Sequence, residues 1–393
     1  MTPSRGSGSE TMLKLRRAHV IEADPPVGAS GEQSLRIELL GPMASGPRPA
    51  IADLALVGPS QAGDELIVNI EALDLGLGSG GFDVVHVNLT RGLSGTGVDG
   101  ANVMKLNYTS LQHAVLPVEE EALELPLENP VAVLALHGQL APVAWAFAQA
   151  NPGATLGYVQ TEGGALPGSH SRTVAALREN GLLAGHLTAG ASFGGEGEAI
   201  TTGGALHHGL RTLGWDAALC GPGPGIVGSG SRLGHGGMLA LDSAHVALAL
   251  GCPTLLVARM SSGEARARHR GISHHTLTVL DLLLEPVTVA LPAGMRSPVG
   301  ADLRAGLRSV FGAGLPSRPG PDSEVERPAR ITRHDWRRAE VDLPAYAASG
   351  LGSETMGRSI TEDPLFFAAA LAGGTALGEL RVRVGSAEGA EHG

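Results

Sequence analysis

The residues best suited to chemistry lie in a basic loop, residues 264–276, with the sequence EARARHRGISHHT. It carries Arg270 and the adjacent pair His274 and His275, in a chain whose formal net charge is −11, and we expect Ser273 to cap the helix that follows it. A guanidinium can grip a carboxylate or phosphate with two parallel hydrogen bonds, and an imidazole can move a proton near neutral pH. We interpret Arg270 as an anion-binding residue and His274 and His275 as catalytic candidates. A solvated basic loop is the plainer alternative.

A glycine-rich loop, residues 221–237, follows the short apolar run AALC and precedes a helical pattern. In this order of strand, loop and helix, backbone N–H groups and the positive end of a helix dipole can converge on one anion. We therefore expect the loop to bind a negatively charged ligand. The ligand-binding candidates in it are Gly223, Gly225, Gly228, Gly230 and His235.

Three further candidates come from loops after other predicted strands. Glu162 follows an apolar run that ends at Thr161, Arg172 lies at the start of the next helix, and His137 ends the first apolar run of the series. Ligands of parallel α/β sheets bind at the carboxyl ends of the strands, so these loops should share one edge with the glycine-rich loop. We expect Glu162 to complement a catalytic histidine, and His137 and Arg172 to contribute to ligand binding.

Other motifs suggest chemistry that the surrounding sequence disfavours. Gly223, Gly225 and Gly228 match the dinucleotide pattern GxGxxG, but 58 of the 393 residues are glycine, so about one match is expected by chance. No acidic residue ends the next strand, as that pattern requires. Ser192 matches the GxSxG pattern of hydrolases, yet the glycines after it delay the helix. Cys220 precedes the glycine-rich loop, but no base is fixed beside this thiol.

A metal ion is an alternative ligand for the histidine pair. Either His137 or His235 could join His274 and His275 around it. No HxxxH or HExxH spacing supports this alternative, so no metal ligand is assigned and the cofactor stays unknown.

The predicted strands and helices form the scaffold that positions these loops. From about residue 130, short apolar runs alternate with segments of helical period, which predicts right-handed βαβ units in a parallel, doubly wound, Rossmann-like sheet. The chain before it has strands separated by Gly/Pro turns, typical of a small barrel or sandwich. We predict a disordered N-terminus at 1–12, a strand-rich domain at 13–115, an α/β ligand-binding domain at 116–315, and a linker with a C-terminal helical extension at 316–393.

Composition limits the partners and the location. The negative charge argues against nucleic-acid and acidic-membrane binding, because both require a positive field. Two cysteines without a CxxC spacing support neither a disulfide framework nor a cysteine zinc site. We find no long apolar segment and no signal-peptide pattern, so we expect a cytoplasmic protein, with a homo-oligomer left open.

Four motifs in order resemble an uncharacterised bacterial family, the domain-of-unknown-function family 3866. The motifs are VQTEGGALPGSHSRTV, GPGPGIVGSGSRLGHGG, RHRGISHHTLT and SETMGRSITEDPLFFAAALAGG. The resemblance spans nearly the whole chain and implies a cytoplasmic bacterial protein that keeps these loops. It implies no activity, so no catalytic role follows from it.

The residues together predict a pocket for a small carboxylated or phosphorylated metabolite at the strand-end loops. An enzyme of the transferase, hydrolase or lyase class would use such a pocket. The alternative is a non-catalytic metabolite-binding or regulatory module that uses the same pocket.

Overall fold

The computed structural model describes residues 12–26, 31–41, 46–76, 81–120, 122–293 and 330–388. The chain divides into two compact units, with the division between Gly97 and Val98. The predicted disordered N-terminus and the predicted linker after residue 315 lie almost wholly outside the described residues. Within the described residues no helix combines the length and the apolar character needed to cross a membrane.

The first unit is a small closed barrel. Its strands are β1 (Leu15–Ala23), β2 (Glu32–Leu39), β3 (Arg48–Asp53), β4 (Glu65–Asn69) and β5 (Asp83–Asn88), with short helices α1 (Leu54–Val57) and α2 (Glu71–Asp74). The order around the barrel is β1-β2-β3-β5-β4, and β1 closes it by pairing with β4. Alternate residues such as Ala18 and Val20 are buried inside because successive strand side chains point to opposite faces. The predicted barrel is confirmed.

The second unit contains the remaining strands and helices. Its strands are β6 (Val103–Lys105), β7 (His113–Val115), β8 (Val131–Val133), β9 (Leu156–Thr161), β10 (Gly185–Ala189), β11 (Gly197–Ala199), β12 (Ala217–Pro222), β13 (Thr254–Leu256), β14 (Met260–Ser261), β15 (Gly271–Ile272), β16 (Thr288–Pro292), β17 (Asp335–Ala339), β18 (Glu354–Thr355) and β19 (Arg358–Ser359). Its helices are α3 (Leu140–Ala150), α4 (Arg172–Glu179), α5 (Thr202–His207), α6 (Leu239–Ala249), α7 (His274–Leu282), α8 (Leu343–Ala348) and α9 (Pro364–Glu388).

Eight of these strands form one parallel sheet in the order β11-β10-β9-β12-β8-β13-β16-β17. Helices α3, α4 and α9 bury their apolar residues against one face, and α5, α6 and α7 against the other. In the central strand, Val131 and Val133 pack on the second face, whereas Ala132 packs on the first. Both faces are therefore covered, and the predicted doubly wound, Rossmann-like sheet is confirmed.

The strand order places the switch point of the sheet at β8. From β8 the chain crosses to β9 on one side, whereas from β12 it crosses to β13 on the other side. The loops after β8, β12 and β13 consequently lie next to one another at the carboxyl edge. Open α/β sheets bind their ligands at such an edge.

The C-terminal segment is part of the sheet rather than a helical extension alone. Strand β17 pairs in parallel with β16, and α9 packs along α3. Only Ala339 of β17 is buried, so the segment has no apolar run to reveal it as a strand. Polar, charged residues are usual on an edge strand.

Candidate functional site

The basic loop folds into a hairpin after β13. Strands β14 and β15 pair antiparallel, with Met260 opposite Ile272 and Ser261 opposite Gly271. Ser273 then caps α7, and its Oγ accepts a hydrogen bond from the backbone N–H of His275 at 3.3 Å. The predicted capping role of Ser273 is confirmed, and it places His274 and His275 in the first turn of α7.

Four histidines meet beside this helix start. The ring centroids of His235 and His275 are 4.0 Å apart, those of His274 and His275 are 4.0 Å apart, and those of His269 and His274 are 4.8 Å apart. His269, His274 and His275 are each exposed by 4% or less. The buried Nε2 of His274 and Nδ1 of His275 have no hydrogen-bond partner among the described residues. We call His235, His269, His274 and His275 the histidine cluster.

Burial keeps the histidine cluster neutral. Desolvation lowers the pKa of His235 and of His274 to about 4, that of His269 to about 3 and that of His275 to about 2. Nearby arginines and the other rings contribute to these values in the same direction, because each positive charge opposes another proton. At neutral pH the cluster therefore offers lone pairs and N–H groups without carrying charge.

A buried arginine completes this side of the site. Arg259 follows β13, is 3% exposed and places its Nη2 3.5 Å from the Sδ of Met356 and 3.9 Å from a carboxylate oxygen of Glu264. Its buried Nε has no hydrogen-bond partner among the described residues. Burial lowers its pKa to about 10, so the side chain is charged at neutral pH. A buried guanidinium with an unused N–H is suited to an anionic ligand.

The C-terminal segment holds the hairpin next to Arg259. Glu264 accepts two hydrogen bonds from Arg266, at 3.0 and 2.9 Å, which are the main reason that its pKa falls to about 2. Arg358 lies 3.6 Å from the same carboxylate and also bonds to Asp363 at 3.1 Å. Asp363 in turn accepts from the hairpin, at Ser261 Oγ (2.5 Å) and at the N–H of Ser262 (2.8 Å).

Sequence reasoning missed Arg259, Glu264, Arg358 and Asp363. The one available signal is that the segment SETMGRSITEDP, which supplies Arg358 and Asp363, belongs to a motif of the resemblance. The three guanidinium groups of Arg259, Arg266 and Arg358 face two carboxylates in this region. The region therefore keeps a local positive charge in an acidic chain.

The glycine-rich loop reaches the histidine cluster through His235. Gly228 forms a β-bridge with His235, and a Cβ at Gly228 would lie closer than 3.0 Å to the imidazole. Gly223 has another role, because a Cβ there would lie equally close to the carbonyl oxygen of Ala165. Gly225 has a φ of +69°, and Gly230 has open space around its Cβ position.

Two further predicted site residues are Arg270, in the hairpin, and His137, shortly after β8. Arg270 is exposed, and its Nε donates to the backbone oxygen of Glu264 at 2.8 Å. His137 is buried, its Nδ1 donates to the carbonyl of Pro222 at 3.3 Å, and its Nε2 lies 2.8 Å from Ser171 Oγ. Both ring nitrogens of His137 are thus engaged within the protein, and burial lowers its pKa to about 4.

The other two predicted residues lie on the β9 side of the sheet edge. Arg172 is exposed at the first position of α4. Glu162 is exposed and lines a small pocket of about 80 Å³ together with Thr161, Asp242 and Ser243. The structure therefore brings Gly228, His235, His274 and His275 together, and it places Glu162 at a neighbouring pocket.

The two alternative nucleophiles are buried. Cys220 is fully buried, and desolvation raises the pKa of its thiol to about 12, so the thiolate is not populated at neutral pH. Ser192 is also fully buried, and strand β11 follows it instead of the helix that a nucleophile elbow requires.

A family model described as a protein of unknown function (DUF3866) matches residues 49–374. The matched range contains the histidine cluster, the glycine-rich loop, Arg259 and the segment with Arg358 and Asp363. No curated protein and no solved structure matches the chain significantly.

Proposed function

The chain belongs to the DUF3866 family of proteins of unknown function, and we propose that its α/β unit is an enzyme that acts on a small carboxylated or phosphorylated metabolite. The substrate binds at the loops after β12 and β13. Transferases, hydrolases and lyases of such substrates all require a group that holds the anion beside a group that moves a proton. The observation that carries the proposal is that Arg259 is buried with an Nε that has no partner among the described residues, and that its charge acts on the neutral imidazoles of His274 and His275.

Arg259 supports the anion-binding part of the proposal. Its nearest carboxylate contact is 3.9 Å, which is longer than the roughly 2.7–2.9 Å of a charge-assisted hydrogen bond. Glu264 is already held by Arg266, so its carboxylate compensates Arg259 only in part. A bound carboxylate or phosphate would offset the remaining desolvation cost. In the proposal, Arg270 and the backbone N–H groups of residues 223–230 add to this contact.

His274 and His275 are the proposed proton-transfer groups. The pKa of His274 is about 4, which makes it a weak base. An anion bound beside it raises this pKa, because opposite charge favours the protonated ring. Substrate binding would thus move the imidazole toward the pKa range in which acid–base catalysis is efficient. Glu162 lines the neighbouring pocket on the β9 side and is not part of this proposed proton transfer.

Inorganic phosphate and succinate are suitable probes of the anion site. Both should raise the melting temperature of the wild-type protein, because binding to the folded state stabilises it. Arg259→Gln should weaken phosphate binding by more than about tenfold, since it removes a charged hydrogen-bond donor, and Arg270→Ala should weaken it to a smaller extent. Arg338→Ala, at an exposed arginine of β17, is the matched control and should bind phosphate like the wild type.

Equal phosphate binding by the wild type, Arg259→Gln and Arg270→Ala would contradict the proposed anion site. Circular dichroism of each variant verifies that it is folded. Because Arg270 is exposed, Arg270→Ala does not disturb the core. Where phosphate or carboxylate esters are turned over, His274→Ala should lower kcat more than it changes KM. Anion binding with no turnover of such esters would favour the non-catalytic alternative.

A further inference from the structure

We propose that His269, His274 and His275 form a binding site for a divalent transition-metal ion of the zinc class. Each ring offers one nitrogen, and the three nitrogens lie within 4.8 Å of one another. All three side chains are buried, and they come from the hairpin tip and the first turn of α7. The inference goes beyond the proposed function, because anion binding at Arg259 requires no metal.

The spacing of the three nitrogens is close to a coordination geometry. Around tetrahedral zinc, nitrogens at about 2.0–2.1 Å from the ion are about 3.3 Å apart. Small side-chain rotations of His269, His274 and His275 would close the present separation of up to 4.8 Å. Imidazole is a preferred ligand of zinc and of its neighbours in the first transition row.

Hydrogen bonds around His269 favour the ring form that a metal needs. Its Nδ1 lies 2.9 Å from Ser273 Oγ, and its Nε2 receives a long hydrogen bond of 3.4 Å from Arg268 Nε. The Nε2 therefore carries the lone pair, which would bind the ion in place of the hydrogen bond from Arg268, and the Nδ1 donates to Ser273. In metal sites, the histidine nitrogen that does not bind the ion usually donates a hydrogen bond to an oxygen of the protein or of water.

His274 and His275 supply an independent reason for a ligand at this point. The Nε2 of His274 and the Nδ1 of His275 are buried and have no hydrogen-bond partner among the described residues. A buried polar atom without a partner is costly in free energy, and a bound ion would satisfy both nitrogens at once.

His235 fits the role of a donor next to the ion. Its Nδ1 accepts a hydrogen bond from the N–H of Gly237 at 3.0 Å, so in the neutral ring the Nε2 carries the hydrogen. This leaves three protein ligands and one open position, which is the pattern of catalytic rather than structural zinc. Water or an anion would occupy that position.

A bound metal would change the role of the histidines in the proposed reaction. This part of the inference rests on the proposed function. An imidazole that binds the ion through its lone pair cannot accept a proton there. The proton acceptor would then be metal-bound hydroxide, which forms when the ion lowers the pKa of its bound water to about 7 and that water gives up a proton to solvent. The charge of Arg259 opposes a second cation, so a bound anion should tighten metal binding.

Cobalt(II) is the probe that tests the site directly. The full-length, untagged protein is stripped of metal with a chelator and titrated with CoCl₂. We expect a visible absorption band of four-coordinate cobalt that saturates at one equivalent and disappears when Zn²⁺ is added. The wild-type titration is decisive by itself, because absence of a saturable band would overturn the proposal.

Two variants and a matched control locate the ion. His274→Ala and His275→Ala should each weaken cobalt binding by more than about tenfold, since each removes a ligand. His186→Ala is the control, because His186 is equally buried and its Nε2 is likewise without a partner. This variant should keep the cobalt band, and circular dichroism verifies the fold of all three. A band that survives in both ligand variants would overturn the assignment.

Phosphate binding separates this inference from the proposed function. A protein that binds phosphate through Arg259 but gives no cobalt band contradicts the metal site alone. A protein that gives the cobalt band but is not stabilised by phosphate or succinate contradicts the anion proposal alone. Tighter cobalt binding in the presence of phosphate would support both.

Discussion

At the residue scale, the histidine cluster resists protonation for three reasons that act together. A proton would bury a positive charge, place it beside a second ring and add it to the field of Arg259. The ring centroids of His235 and His275 are only 4.0 Å apart, so a proton on one ring strongly opposes a proton on the other. The rings therefore titrate as a coupled group. An anion in the site favours protonation, whereas a metal ion opposes it.

Acid should therefore destabilise the protein between about pH 6.5 and pH 4. Histidines in the unfolded chain titrate near pH 6.5, whereas burial lowers the pKa of His274 in the folded state to about 4. Between these values the unfolded chain binds more protons, so stability falls as the pH falls. Each such histidine contributes a slope of up to about 1.4 kcal/mol per pH unit. Urea denaturation at pH 7, 6 and 5 measures the total slope.

The double variant His274→Gln, His275→Gln should show a smaller slope over the same pH range. His19→Gln, at an exposed histidine of β1, is the matched histidine substitution outside the cluster, and the slope of the double variant is compared with that of this variant. If the double variant keeps the full slope of the wild type, these two rings are not held neutral by burial.

The chemistry of single residues was only partly readable from the sequence. The types and spacing of His274 and His275 identified them as candidates, and Ser273 was recognisable as a helix cap. Their burial was not readable, because the groups that cover them, His235 and Arg259, come from other parts of the chain. A basic stretch in isolation looks the same whether solvent or protein surrounds it.

At the element scale, two loops pack backbone against backbone at the sheet edge. The N–H of Ala165 donates to the carbonyl of Pro224, which joins the loop after β9 to the loop after β12. A Cβ at Gly164 would lie closer than 3.0 Å to the carbonyl of Gly223, and a Cβ at Gly223 would lie as close to that of Ala165. Part of the glycine content is therefore explained by loop packing, independently of any ligand.

Gly223→Ala and Gly164→Ala should each destabilise the protein by about 1–3 kcal/mol, since the added methyl group overpacks the contact between the loops. Gly230→Ala is the control in the same glycine-rich loop, because no atom lies within 4 Å of its Cβ position. Its effect should stay within about 0.5 kcal/mol. Chemical denaturation gives the three values, and equal stability of Gly223→Ala and Gly230→Ala would disprove the packing argument.

The alternation of apolar strands and helices was enough to predict the central elements of the sheet. Strands β8, β9, β10, β12, β13 and β16 all coincide with apolar runs. Strand β17 escaped prediction because an edge strand needs few apolar residues. Hairpin β14–β15 escaped because its strands have only two residues each, too few for a periodic pattern.

At the scale of the whole molecule, the second unit begins earlier than the composition of the chain suggests. The division lies at Gly97 and Val98, whereas the sequence boundary was placed at residues 115 and 116. Hairpin β6–β7 belongs to the second unit, and its Lys105 is buried there. The hairpin resembles the strand-rich segments before it in sequence, so only its long-range contacts reveal where it belongs.

Lys105 joins this hairpin to the edge of the parallel sheet. Its Nζ donates to the backbone oxygens of Thr188 and Ser192 and lies 2.7 Å from the carboxylate of Glu198. Burial lowers the pKa of Lys105, and the hydrogen bond to Glu198 raises it. A buried ion pair that loses one partner leaves the other charge uncompensated.

A fragment of residues 98–393 should therefore unfold at a higher urea concentration than a fragment of residues 116–393. The shorter fragment lacks Lys105, so it loses the ion pair with Glu198 and the donor to the backbone oxygens of Thr188 and Ser192. Lys105→Met in the full-length chain isolates this contribution, and it should cost about 3–5 kcal/mol, as expected when one partner of a buried ion pair is removed. Equal urea midpoints for the two fragments would show that the hairpin adds no stability to the second unit. The boundary near residue 116 would then be the better division of the chain.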